Sequence, residues 1–246
     1  MSRIIKEEHK FQDIYYNLVY DGHSTNRPVV YFFHGFNCSK EMGPMDRDTE
    51  LALLGYTVIV MDAYEHGKRT SNEFKALTNS EKQSMIVDIE IKTAQEAIKL
   101  YDHLLEKNYI TSNFPAAAYG VSMGAAIAFY LTTIFSKVKA MVSIVGSPSF
   151  IDFYEYKQEV YDFPKDKVFY ERLKKYEDLD PLIHINRFEN KEVFMSVGLR
   201  DKIVPMIYAE SLSKKINCTY KTYDLGHESN PKMLQDSYDF LKKHLV

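Results

Sequence analysis

Cysteine is scarce in this chain. The only two, Cys38 and Cys218, lie far apart in 246 residues, which excludes a disulfide framework and a cysteine-rich metal centre. They read as free thiols of a reducing cytoplasm, with a single disulfide as the alternative. Long apolar runs are missing too, so no membrane span is expected. The opening residues Met1 to Glu8 have no apolar core and do not form a secretory signal. Neither sign of charge is in excess: 31 Lys+Arg face 34 Asp+Glu, for a formal net charge of -3 and a pI near 6.3. That balance offers no electrostatic reason to expect nucleic acid or an anionic membrane as partner. No phosphate-binding G-x-x-x-x-G-K-[ST] loop, dinucleotide G-x-G-x-x-G loop or H-E-x-x-H zinc motif occurs, so neither cofactor nor metal is expected. Repeats and low-complexity segments are also lacking.

What is present is an ordinary globular composition, 45% apolar and 26% charged. The length suits one α/β domain over 1–246. Short apolar runs at 28–33, 57–61, 140–145, 192–197 and 218–223 read as buried strands, with an aromatic and β-branched edge strand at 11–20. Helices are expected over 41–54, 80–108, 205–216 and 231–245. This alternation predicts a mainly parallel sheet with helices on both faces. Residues 147–190 break the rhythm with many aromatics, nine of them between Phe150 and Tyr176, and mixed charge, and are expected to form a helical lid inserted between two strands. Those aromatics suit core packing and substrate contact equally well. The alternating charges of 165–175 describe a solvated helix face.

The stretch AYGVSMGAAIAFYL (118–131) sets Ser122 between Gly120 and Gly124, where a strand pattern gives way to a helix pattern. This is the G-x-S-x-G elbow, which holds a serine on a tight, strained turn at a helix N-terminus. A serine hydroxyl needs a base to take its proton. Of eight histidines, His227 follows the last strand and opens at the same sheet edge as Ser122, where ligands bind in parallel sheets. His9, His23 and His244 suit solvated positions, His103 lies in the long helix and His184 in the lid. Asp201, just past the preceding strand, is the acid expected to orient His227. Taken locally it also reads as a turn former before Pro205, and Asp180 and Asp224 are its competitors. His34-Gly35-Phe36 follows the 28–33 strand. Backbone N–H groups of Phe36 and Met123 are expected to form the oxyanion hole, with Gly35 for close approach and His34 bracing the loop.

These pieces, with Asp62 through His66-Gly67, Gly198 to Pro205 and Gly226-His227, appear in order across residues 28 to 245. Together they resemble the α/β-hydrolase superfamily, in its serine branch of esterases and prolyl-oligopeptidase-like or dienelactone-hydrolase-like enzymes. The resemblance implies a Ser122–Asp201–His227 triad with Phe36 and Met123 as oxyanion donors. Tyr64 and Glu65 depart from the family's usual small residues, so Asp62 and His66 stay open between turn-forming or solvated roles and substrate contact. The expected activity is hydrolysis of a small or medium-sized carboxylic ester through an acyl-enzyme. A small peptidase or amidase of the same fold and a non-catalytic ligand-binding protein are the alternatives. A homo-oligomer is neither required nor excluded.

Overall fold

The computed structural model describes residues 3–22, 27–41 and 46–245. In chain order these residues form β1 (Ile4–Phe11), β2 (Ile14–Asp21), β3 (Val29–Phe33), α1 (Arg47–Leu53), β4 (Thr57–Met61), α2 (Asn72–Ala76), α3 (Asn79–Ser84) and α4 (Ile86–Glu106). There follow β5 (Ala116–Val121), α5 (Met123–Ile134), β6 (Val138–Ile144), α6 (Ile151–Tyr161), α7 (Lys167–Glu177), β7 (Glu192–Gly198), α8 (Ile207–Ser213), β8 (Thr219–Tyr223) and α9 (Pro231–His244).

The eight strands make one sheet in the order β1-β2-β4-β3-β5-β6-β7-β8. β1 pairs antiparallel with β2, and β2 antiparallel with β4; every other pairing is parallel. Strands buried on both faces need no polar alternation, and all five residues of β3 (VVYFF) and of β4 (TVIVM) are buried. Two apolar layers sandwich the sheet. α1 and α9 cover one face, through Leu51, Ala52, Met233 and Leu241. The other face meets α4 and α5, through Ile89, Ala97, Ile127 and Leu131. The Tyr31 hydroxyl donates to the Ala97 carbonyl at 3.0 Å and ties β3 to α4.

Helix starts follow local chemistry. Asn230 accepts the Met233 N–H at 2.8 Å and Pro231 opens α9, a pairing of cap and pre-set φ that fixes its first turn. Thr78 and Glu81 form a reciprocal capping box for α3.

Four expectations change. The edge strand expected over 11–20 is instead the second strand of a hairpin, β2, and lies between β1 and β4 with β1 at the edge; Gln12, at φ 55°, turns the chain without glycine or proline. The helix expected over 80–108 is two, α3 and α4, broken at Met85. The helix expected over 41–54 is shorter, running from Arg47 to Leu53, with residues 42–45 of that span outside the described residues. His23 also lies outside them. His9 and His244 are half-buried rather than solvated: His9 stacks on Tyr16, with ring centres 5.4 Å apart, and His244 meets Glu192 at 3.1 Å. Both cysteines are free.

Candidate active site

Ser122 joins β5 to α5 with φ 57° and ψ −120°. A side-chain-bearing residue there is strained by roughly 1–3 kcal/mol, which the surroundings must offset. They do so by close packing. The Ser122 N–H donates to the Ile144 carbonyl at 2.9 Å, and the Ser122 carbonyl accepts the Ala125 N–H at 2.9 Å. Gly120 and Gly124 are required sterically: a Cβ on Gly120 would overlap the Gly124 carbonyl, and one on Gly124 would overlap the Phe33 carbonyl. Replacing Gly124 by alanine should therefore cost about 3 kcal/mol or more, measured by denaturant unfolding. Met123 is the first residue of α5, so its N–H has no acceptor within the helix.

β7 and β8 run parallel to β5 and end at the same edge of the sheet. Asp201 follows β7, and His227 follows β8. His227 Nε2 lies 2.8 Å from Ser122 Oγ, and its Nδ1 lies 2.7 Å from Asp201 Oδ2. The Asp201 side chain is 1% exposed, and its other oxygen accepts the N–H groups of Ile203 (2.8 Å) and Val204 (2.9 Å). Held by these three contacts, the carboxylate fixes Nδ1–H on the imidazole and leaves Nε2 to accept from the serine. The turn-forming role read locally and the orienting position thus belong to the same carboxylate, one oxygen for each.

The competing acids are engaged elsewhere. Asp224 pairs with Arg200 at 3.0 Å. Asp180 is buried and accepts the N–H groups of Phe150 (2.8 Å), Ile151 (2.9 Å) and Leu182 (2.7 Å), which anchors the start of α6. Burial pushes the Asp180 carboxyl up, against those hydrogen bonds.

His34 lies after β3 and is 2% exposed. Its Nε2 accepts the Ala63 N–H at 3.1 Å, so Nδ1 carries the proton and donates to the Gly35 carbonyl at 2.8 Å. The ring thereby bridges the loops after β3 and β4. Burial pushes His34 down to about 3. An unfolded histidine titrates near 6.5, so below that pH the unfolded chain binds a proton that the folded chain refuses until about pH 3. His34 therefore contributes a stability loss of about 1.4 kcal/mol per pH unit in that window. The slope of unfolding free energy between about pH 5.5 and 4 should flatten by about that amount in His34→Gln. A Cβ on Gly35 would stand 3.6 Å from the Val121 carbonyl oxygen and 3.7 Å from Ser122 Cβ, which are ordinary contact distances, so sterics alone do not require glycine there.

Asp62 and His66 are neither solvated nor part of the cavity wall. Asp62 accepts the N–H groups of Lys40 (2.8 Å) and Lys68 (3.0 Å). His66 is 4% exposed, packs edge-on against Phe36 at 5.2 Å, and is pushed down by burial. Both hold the loop after β4.

Ser122, His227, Phe36 and Met123 line one cavity of about 590 Å³. Of the nine aromatics from Phe150 to Tyr176, Phe153 and Tyr161 face this cavity. Tyr154 instead packs with Phe163, Phe169 and Tyr176, and Tyr170 is exposed. The charged face of α7 is not wholly solvated, because Arg172 and Lys175 both pair with Asp88 of α4, at 2.8 and 2.7 Å. Among the cavity residues that carried no sequence signal are Arg47, Gln83 and Lys157. Their polar side chains stand in helices whose remaining pattern is unexceptional.

A mainly parallel sheet of this order, with a serine elbow at a strand end, is the fold of the α/β hydrolases, and the chain is a hydrolase of the esterase type. It belongs to the family described as BAAT / acyl-CoA thioester hydrolase C terminal, which it matches over residues 70–220, more than half its length. That span holds Ser122 and Asp201 and ends before His227. Over its full extent the chain is similar to esterase YjfP of Escherichia coli (strain K12), 25% identical over 90% of each chain. Acetyl xylan esterase 1 from Thermoanaerobacterium sp. JW/SL YS485 superposes with a TM-score of 0.72 at 17% identity, covering 99% of this chain and 88% of that one. The α/β hydrolase GrgF from Penicillium sp. sh18 does so at 0.71 and 12% identity, covering 99% of both. Among the described residues, no helix is long and apolar enough to cross a membrane.

Proposed function

We propose that the chain hydrolyses a small or medium-sized carboxylic ester through an acyl-enzyme, with Ser122, His227 and Asp201 as its triad. Ser122 Oγ attacks the ester carbonyl carbon while His227 Nε2 takes the hydroxyl proton. The N–H groups of Phe36 and Met123 stabilise the oxyanion of the tetrahedral intermediate. Its collapse expels the alkoxide, which leaves as the alcohol with the proton from His227. Water then attacks the acyl-enzyme, gives a proton to the same nitrogen, and the carboxylic acid departs with Ser122 reprotonated. Asp201 stabilises the imidazolium formed in both halves.

The observation that carries this reading is His227 standing between Ser122 Oγ at 2.8 Å and Asp201 Oδ2 at 2.7 Å. A thioester is the second reading, favoured by the family's description. The mechanism accommodates it unchanged, with a thiol as leaving group. The test is a panel of p-nitrophenyl esters of graded chain length, beside p-nitroanilides and thioesters of the same acyl groups. A fluorophosphonate label is mapped by peptide sequencing in parallel. Ester turnover with labelling at Ser122 supports the reading. Label on another residue, or labelling without turnover of any member, overturns it and favours a ligand-binding protein.

A further inference from the structure

Arg47, the first residue of α1, is 1% exposed and lies on the cavity wall. One guanidinium nitrogen, Nη2, donates to Ser229 Oγ at 2.5 Å. The other two, Nε and Nη1, are buried and have no hydrogen-bond partner among the described residues. Nor does Arg47 form an ion pair among the described residues. Of the acids on its own helix, Asp48 is committed to Lys6 at 2.9 Å and Glu50 accepts the Tyr238 hydroxyl. Glu228 is the one carboxylate on the cavity wall, and it is exposed.

A buried charge without a partner is among the costliest features a fold can retain. The cavity holds a second cation, Lys157 of α6, 3% exposed, with its ammonium 4.8 Å from the centre of the Phe153 ring. The two are not equivalent. Lys157 is pushed down to about 8 by burial, and the buried Glu90 carboxyl faces it. That pair can neutralise itself by moving one proton. A guanidinium has no such escape and keeps its charge in a protein interior. Its planar fork of N–H donors is the natural complement of a carboxylate.

Ser229 lies two residues after His227 in the same loop. The segment that brings the imidazole to Ser122 therefore also holds the guanidinium, which sets the anchor at a fixed distance from the nucleophile. We propose that the substrate of this site carries a carboxylate besides its scissile ester, and that Arg47 binds it through Nε and Nη1. This rests on the ester-hydrolase reading above and narrows its substrate class.

Two matched ester pairs test it. On the acyl side, p-nitrophenyl hemiglutarate is compared with p-nitrophenyl valerate. On the alcohol side, the butyrate of carboxy-nitrophenol is compared with p-nitrophenyl butyrate. Charge-assisted hydrogen bonds of this kind should favour the carboxylated member of one pair by roughly 10- to 100-fold in kcat/KM. Arg47→Gln should collapse that ratio, and Arg47→Lys should keep part of it. Glutarate binding to the Ser122→Ala protein, measured by calorimetry, needs neither turnover nor a refolded Arg47 variant.

Turnover of the neutral esters with no preference in either pair, together with no glutarate binding, overturns the proposal and leaves the hydrolase reading standing. A preference that survives Arg47→Gln overturns Arg47 as the anchor. Failure of every ester while glutarate binds, and no longer binds when Arg47→Gln is added, removes the hydrolase reading and keeps the anion site. Inorganic phosphate binding as tightly as glutarate shows an unselective anion pocket and overturns the carboxylate assignment.

Discussion

Replacing Ser122 by alanine should lower kcat/KM for any ester substrate by on the order of 10⁴-fold or more, because in the proposed mechanism the three groups act as a unit and the remaining two would have no nucleophile to activate. The fold should tolerate the change. Ser122 Oγ makes its hydrogen bond to His227 and caps nothing in α5, while the backbone bonds of the turn stay in place. Stopped-flow assays of both proteins, with unfolding midpoints measured alongside, separate lost chemistry from lost structure. A mutant within tenfold of the parent would place the nucleophile elsewhere. What activity remains should come from the oxyanion donors and from substrate binding.

Asp201→Asn should cost about 10⁴-fold, by a route that the hydrogen bonds around it specify. One carboxylate oxygen accepts two backbone N–H groups, from Ile203 and Val204, and only an oxygen can take that place. The amide of an asparagine would be forced to orient its carbonyl there and aim its NH₂ at His227 Nδ1. That contact demands an unprotonated Nδ1, which moves the imidazole proton to Nε2, facing Ser122. A base carrying a proton toward its nucleophile cannot accept another. The result is a correctly folded protein with the wrong tautomer, visible as a protonated Nε2 in ¹⁵N spectra of His227. A variant that kept its rate would show that the acid does not orient the base.

The parallel part of the sheet was legible because its strands are short, apolar throughout and separated by helix patterns; 57–61 agrees residue for residue with β4. The convergence of Ser122, Asp201 and His227 was legible for a related reason. Each follows a parallel strand, and topology alone delivers such positions to one edge. The hairpin before β3 was not, because its turn uses Gln12 at positive φ, where neither glycine nor proline marks the corner. The break at Met85 was hidden because no glycine or proline marks it: the polar run Asn79–Ser84 leads straight into Met85-Ile86-Val87. His66 read as a loop histidine, yet burial among Phe36, Phe74 and His34 is decided by chain segments distant in sequence. Arg47 and Lys157 escaped notice on similar grounds. A charged residue in an amphipathic helix ordinarily faces water, and only the tertiary arrangement turns these two inward.

Gly124 touches the backbone of Phe33 and His34, and the phenol of Tyr119, just before the elbow, is hydrogen-bonded at 2.9 Å to Ser237 of the closing helix. The turn that carries Ser122 is thus packed directly against the buried interior, through the end of β3 on one side and α9 on the other. Such a catalyst is brittle. Urea or heat should extinguish hydrolysis and melt the interior at one and the same midpoint, with no earlier stage in which the protein is intact but idle.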